Sequence, residues 1–246
     1  MWFGLVTLFP ESFTEDHLIG VTGRALRDEL ISVRCFNPRD FTSDLHRTVD
    51  DKPYGGGPGM LMKVAPLREA IHSAKDAADK CTEVVYLSPQ GRRLSQEDLA
   101  GWAAKGSVVL VCGRYEGIDE RVINADIDRE VSLGDFVLSG GEVPALAVID
   151  GVTRLLPGAV GDSNSVAQDS FSDGLLDYPQ FTRPKEVAGK RVPDVLLSGN
   201  HQMIARWRQK EALGKTWEKR PDLIRDRTLT EIEQQLLDEY RSETGS

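Results

Sequence analysis

The chain has 246 residues, a formal net charge of −9, 40% hydrophobic and 28% charged residues. This is the balance of a soluble globular protein with enough length for one large domain or two modest ones, and it excludes collagen-like and disordered classes. No apolar run approaches membrane-spanning length, and Cys35, Cys81 and Cys112 show neither metal-ligand spacing nor an even count, so reduced thiols in the cytoplasm are expected. Trp2 to Phe9 reads as a first core strand; it lacks the cationic flank of a signal peptide and stops at Pro10. A helix is expected over Thr14–Glu29 and a strand over Ile31–Phe36. The stretch Asn37–Met60 is polar and glycine-rich, and it carries Gly55-Gly56-Gly57-Pro58-Gly59 without the Gly-Lys-Ser/Thr ending of a phosphate loop. An amphipathic helix follows over Val64–Asp79. A strand, Glu83–Leu87, then runs into the turn Ser88-Pro89-Gln90-Gly91. Ser95 is placed to cap a helix to Lys105, with Glu97 and Asp98 in its first turn.

Residues 108–112, Val-Val-Leu-Val-Cys, read as a strand buried on both faces. They exit at Gly113, with Gly117 four residues on. After a short helix near 118–125, a second strand near 127–132 leaves through another glycine-bearing turn, Gly134 to Gly141. Two such exits are what an open α/β sheet uses to line a ligand crevice, although two plain tight turns would give the same pattern. The flanks are mostly apolar, which suits a neutral or amphiphilic ligand better than a polyphosphate. Glu142–Leu156 is a strong helix, closed by Pro157-Gly158. Alternation of strand and helix up to this point implies a mostly parallel sheet covered on both faces.

Residues 160–177 hold four aspartates and no cation among serines and glycines, and read as a flexible linker. The division expected is therefore residues 1–159, linker 160–177, and a small helical module over 178–246. Charge separates in the same way: residues 178–227 carry 12 Lys+Arg against 6 Asp+Glu, while the rest carries 18 against 33. An acidic body with a basic arm points to a nucleic-acid partner despite the net charge. In the arm, Leu197-Ser198-Gly199-Asn200-His201 opens a helix bearing Arg206, Trp207 and Arg208, and Thr228 and Glu231 stand in capping-box register before the last helix.

Gly113-Arg114-Tyr115-Glu116-Gly117-Ile118-Asp119-Glu120-Arg121 and Leu133-Gly134-Asp135-Phe136-Val137-Leu138-Ser139-Gly140-Gly141-Glu142 resemble the signatures of the TrmD family, the bacterial tRNA (guanine-N1)-methyltransferases of the SPOUT superfamily. The resemblance runs along nearly the whole chain. It implies an α/β SPOUT domain with a trefoil knot over about 85–160, a flexible linker and an all-helical C-terminal domain. It implies S-adenosyl-L-methionine as methyl donor, with Tyr86, Leu87, Ser88, Pro89, Gln90, Gly59, Gly113, Tyr115, Ser132, Leu133, Gly134, Asp135, Phe136, Val137, Leu138, Gly140, Gly141 and Pro144 around it. It also implies methylation of the guanosine at position 37 of tRNA. Asp169 would be the general base at N1, Arg154 the cation at O6, and Glu116 an assistant near the sulfonium. Ser165, Asp177, Asn200, His201, Arg206 and Arg208 would meet the RNA. A homodimer with a shared site and a Mg²⁺ dependence of unassigned location complete the expectation, with no membrane partner. From pattern alone, Asp169 could be a solvated linker acid, Arg154 a complement to a helix dipole, and Trp207 a core anchor. A SPOUT methylase acting on ribose or ribosomal RNA, and a non-catalytic RNA-binding protein, are the rival readings.

Overall fold

The computed structural model of the chain describes residues 1–78, 82–161 and 168–245. The chain divides into two compact units, Met1–Ser163 and Asn164–Ser246. Among the described residues no helix is long and apolar enough to cross a membrane.

The first unit is built on five parallel strands: β1 (Trp2–Val6), β2 (Ser32–Phe36), β5 (Glu83–Arg93), β6 (Ser107–Cys112) and β7 (Arg129–Ser132). Their order is β2-β1-β6-β5-β7. Two-residue strands β3 (Asp50–Asp51) and β4 (Leu61–Met62) pair separately. Helices α1 (Gly20–Arg27), α2 (Val64–Asp76), α3 (Gln96–Lys105), α4 (Glu120–Asp126) and α5 (Glu142–Arg154) cover the sheet. Alternation decides which residue serves which layer. Val108, Leu110 and Cys112 pack with Ala25, Trp102, Val148 and Ile149, from α1, α3 and α5. Val109 and Val111 face the other way, with Leu67 and Ile71 of α2 and Val122 of α4. A strand buried on both faces has no polar side to show, hence its unbroken apolar run.

Several boundaries differ from the sequence expectation. The helix expected from Thr14 starts only at Gly20. Before it, the backbone of Thr14 accepts from His17 and Leu18 in a local turn, and the carbonyl of Leu18 sits so close to Gly23 that a β-carbon there would lie 2.0 Å from it. The end of α2 is Asp76, and residues 79–81 lie outside the described set. The turn expected at Ser88–Gly91 is instead a bulge inside a longer strand. Leu87 and Arg92 both stand opposite Val131, so the four residues between them loop out of the ladder. Pro89 has no N–H to give to a ladder, which favours this exit. Gly91 is required because a β-carbon would lie 2.3 Å from the backbone nitrogen of Val131.

Beside this bulge, Ser95 caps α3 in a capping box with Asp98. Asp98 is 8% exposed, and accepts from Arg129 at 3.0 Å, Arg92 at 2.9 Å and Ser95 N at 2.9 Å. Burial pushes its carboxyl up, but the hydrogen bonds from Arg92 and Ser95 outweigh it and hold the pKa down at about 2. A depressed carboxylate contributes stability above its unfolded value of 3.8 and loses it as pH falls through about 2. We therefore expect Asp98→Asn to cost about 2 kcal/mol at pH 7, since Arg92 is half exposed and discounts the buried-pair figure. Denaturant midpoints should converge with those of the parent as pH drops through that window. A constant gap down to the acid limit would show that the ion cluster is not the source.

In the second unit, α6 (Asp194–Leu197), α7 (His201–Lys219), α8 (Pro221–Arg225) and α9 (Glu231–Thr244) are joined by a two-stranded ribbon, Glu186–Val187 with Lys190–Arg191. The module is thus mainly, not entirely, helical. Gly214 of α7 admits the ring of Tyr240 from α9, which a β-carbon would approach to 2.2 Å. The described part of the expected linker, from Gln168 on, is folded onto α7. Leu175 is 4% exposed in a cluster with Ala212, Leu213 and Leu236, and Leu176 N donates to Thr216 Oγ1 at 2.9 Å. The capping box of α9 is Thr230 with Glu233, not Thr228 with Glu231. Both pairs have the right spacing; the extended backbone of Thr230 (φ −71°, ψ 163°) selects the second.

Candidate active site

A cleft opens outside the carboxyl ends of β5, β6 and β7, where open α/β sheets bind ligands. Its walls are Tyr86 to Pro89 from β5, Gly113 to Gly117 after β6, and Val131 to Gly141 after β7 (Asp135 excepted), with Pro144 from α5. Of the residues expected around a methyl donor, all but Gln90, Gly59 and Asp135 line it. Gln90 sits on the exposed bulge, its N–H held by Ser88 Oγ at 3.2 Å. Asp135 is turned outward into an ion pair with Arg93, both largely exposed. Gly59 is exposed and lies against Glu116: a β-carbon on it, at φ +82°, would stand 2.3 Å from Glu116 Oε1.

Three glycines here are closely hemmed in, Gly141 by backbone and Gly113 and Gly140 by side chains. A β-carbon on Gly113 would lie 2.8 Å from the Tyr86 ring, one on Gly140 would lie 2.3 Å from Arg114 Nε, and one on Gly141 would lie 2.5 Å from Cys112 Cα. The backbone of the two exits is thereby brought together, with Gly141 N donating to Gly113 O at 3.0 Å. Tyr115 takes φ +61°, a region that a bulky side chain rarely enters. Such strain is held only where surroundings enforce it, and it concentrates at functional sites. Met60 O accepts from Glu116 N at 2.9 Å and Met62 N donates to Gly117 O at 3.0 Å, so the glycine-rich loop after β3 is tied to the same turn. Burial lifts the Tyr86 phenol above its usual value, so it stays a neutral donor at the cleft floor.

Among the described residues, Arg114 and Glu116 are the charged side chains that line the cleft. Phe136, Val137 and Leu138 are 54%, 83% and 40% exposed on its lip. One cation, one anion and many apolar and backbone groups suit a ligand of low net charge with an aromatic portion. Lining residues that sequence reasoning did not assign to the donor are Arg114, Val131 and Ser139, along with Gly117, read only as part of the first glycine exit. Arg114 was visible as the one cation inside the first glycine turn, but its partner, Glu142, is reached only through the fold.

The two residues expected to act on the acceptor belong to different units. Arg154 ends α5, whose first residue, Glu142, adjoins the cleft; with 13 residues between these ends inclusive, about 18 Å of helix separates them. Asp169 belongs to the second unit, where it lines a hollow with Asp173, Asp177, Tyr178, Arg208 and Gln209. Its carbonyl accepts from Ser172 N at 3.2 Å. Ser165 lies outside the described residues.

Among the other residues expected to meet RNA, Asn200 is the N-cap of α7, accepting from Gln202 N and Met203 N. His201 follows it, exposed. Arg206 is ion-paired with Glu239 at 2.7 Å, and the Arg208 guanidinium lies 4.7 Å from the Tyr178 ring centroid. Trp207 packs at 6.3 Å from Phe181, itself 48% exposed, so the ring is half anchor and half surface. Arg183, Lys185, Lys190 and Arg191 are all exposed nearby in the chain. Among the described residues no group of three or more His, Cys, Asp or Glu side chains could hold a metal ion.

Comparison with known proteins agrees along the length of the chain. Residues 1–226 match the family model described as tRNA (Guanine-1)-methyltransferase TrmD. A protein named tRNA (guanine-N(1)-)-methyltransferase from Pseudoalteromonas atlantica is 59% identical over 242 residues, 98% of this chain and 91% of its own. Relatives of the same name from Aeromonas hydrophila and Vibrio vulnificus are 57% and 54% identical, over 98% and 99% of this chain and 96% and 98% of theirs. With that identity spanning both units and the cleft, the chain belongs to the tRNA (guanine-1)-methyltransferase TrmD family.

Proposed function

We propose that the protein transfers a methyl group from S-adenosyl-L-methionine to N1 of the guanosine at position 37 of tRNA, 3′ to the anticodon. The observation that carries this reading is the near-full-length identity to proteins named for guanine-N1 methylation of tRNA. The cleft fits the donor: glycine backbone gives an adenine close access, Phe136 and Leu138 offer apolar cover, and Glu116 is the carboxylate to offset a sulfonium. When bound, the donor supplies an electrophilic methyl carbon, so the protein needs neither a covalent nucleophile nor a metal-bound one.

The task left to the side chains is at the acceptor. Guanine N1 carries a proton and is a poor nucleophile until it leaves, and charge then gathers at O6. A carboxylate at N1 and a guanidinium at O6 answer both needs. We assign Asp169 to the first role and Arg154 to the second. The position of Arg154 supports a shared site: it lies about 18 Å along α5 from Glu142, the end that adjoins the cleft, so a second copy is the natural source of that group. The deep trefoil knot over about 85–160 is part of the same proposal; its support is a sheet order in which β6 and β7 flank β5. The fold offers no ready-made metal cage among the described residues, and no step here runs through Mg²⁺.

Mass spectrometry of tRNA nucleosides after incubation with labelled donor tests the chemistry. Label in 1-methylguanosine is expected; label in 2′-O-methyl nucleosides would favour a ribose methylase instead. Subunit mixing tests the shared site. An Asp169→Ala chain mixed with a chain unable to bind donor should regain up to about half-site activity, whereas two autonomous sites would stay silent in the mixture.

A further inference from the structure

We propose that Glu142 and Arg114 form a strut that holds the donor cleft in its binding geometry, with Glu142 a positioning residue that itself touches no substrate. The inference rests on the reading above that this cleft holds the methyl donor.

Glu142 is the first residue of α5 and is 4% exposed. A carboxylate costs several kcal/mol to bury and persists only where partners compensate. Thr7 Oγ1, just past the end of β1, donates to Glu142 Oε1 at 2.8 Å. Arg114 Nη2 lies 2.7 Å from Oε2, an ion contact more than an aligned hydrogen bond. The positive end of the helix dipole adds to both.

The other side of Arg114 faces the cleft. Its Nη1 donates to Ser139 O at 3.2 Å, in the second glycine turn, and its guanidinium lies 4.3 Å from the centroid of Phe9. The side chain lies across Gly140, where a β-carbon would collide with it. One guanidinium therefore joins three strand exits, after β1, β6 and β7. Lysine could supply the charge but not the planar fork that contacts carboxylate, carbonyl and ring together.

The physical consequence is preorganisation. The turn from Gly134 to Gly141 is neither helix nor strand, and it carries the exposed Phe136, Val137 and Leu138. If Arg114 is released, the turn populates binding-competent geometry only part of the time, and apparent affinity falls by that fraction. The chemistry at guanine N1, which uses other groups, is spared once donor saturates.

The test uses the full-length protein and S-adenosylhomocysteine as an unreactive probe. Calorimetric titration of Arg114→Gln and Glu142→Gln should show Kd weakened about 10-fold, with stoichiometry unchanged. The double variant should be no worse than the weaker single, because both act through one strut. Steady-state donor KM should rise in parallel for both, while for Glu142→Gln kcat at saturating donor and tRNA KM stay within about twofold. A merely structural role would lower the number of competent sites and leave Kd alone, which overturns the proposal. So would a Kd within twofold of the parent for Arg114→Gln, or single effects that multiply in the double variant. Should Glu142→Gln fail to fold, Arg114→Gln and Arg114→Lys, altered at the less buried end of the strut, carry the test, each expected to weaken the probe. No heat from the parent protein would overturn the donor reading of the cleft and the strut with it; parental binding with unaltered variants overturns the strut alone.

Discussion

Asp169→Asn should lower the single-turnover rate of tRNA methylation by about 10³–10⁴-fold while leaving donor and tRNA binding intact. The amide keeps the size and hydrogen-bonding shape of the carboxylate but cannot take a proton. Loss of a general base costs about 10²–10⁴-fold, and the weak acidity of guanine N1–H puts the expectation in the upper part of that range. The pH profile distinguishes this from a binding defect. Raising pH should partly restore Asp169→Asn, because hydroxide removes the proton and the developing anion still meets Arg154. Arg154→Ala should show no such recovery, having lost the cation at O6 in place of the base. A near-parental single-turnover rate for Asp169→Asn would remove Asp169 from the role. The tRNA affinity measured alongside guards against a trivial explanation, since Asp169 sits in a hollow with Tyr178 and Arg208 that could itself face RNA.

Gly141→Ala should strongly destabilise the first unit and the cleft with it. The φ there is −80°, so backbone conformation is no obstacle to alanine. The obstacle is space, because the added carbon would stand 2.5 Å from Cys112 Cα, and a backbone atom in a fully buried central strand cannot rotate away. Overpacking of this kind costs about 3 kcal/mol, which for a unit of this size lowers Tm by about 6–12 °C. Donor binding should fall with it, since relief can come only by pushing the second glycine turn away from the first. Gly101→Ala is the internal contrast. Gly101 lies inside α3 with nothing within 4 Å of a new β-carbon, and alanine there should be neutral or stabilise by about 0.5–1 kcal/mol. Equal Tm shifts for the two replacements would refute the packing argument.

What the amino-acid sequence determined by itself is local or periodic. The double-sided burial of residues 108–112 follows from their unbroken apolar run, and the start of α3 from Ser95 followed by acids. The two strand exits follow from glycines whose neighbours are apolar, and most residues expected near a donor lie where those exits meet. These signals need only neighbours within a few positions, so they survive without knowledge of the fold. Tertiary structure decided whatever depends on a partner distant in the chain. Ser88–Gly91 is a bulge and not a terminating turn, because β7, some forty residues later, pairs on both sides of it. Thr230 rather than Thr228 caps α9, because packing of that helix on α7 chooses between two equally spaced candidates. The Thr7, Arg114 and Glu142 network spans 135 positions and leaves no periodic trace. Arg154 shows the same division: its residue type and family match single it out, while the length of α5 places it about 18 Å along the helix from Glu142.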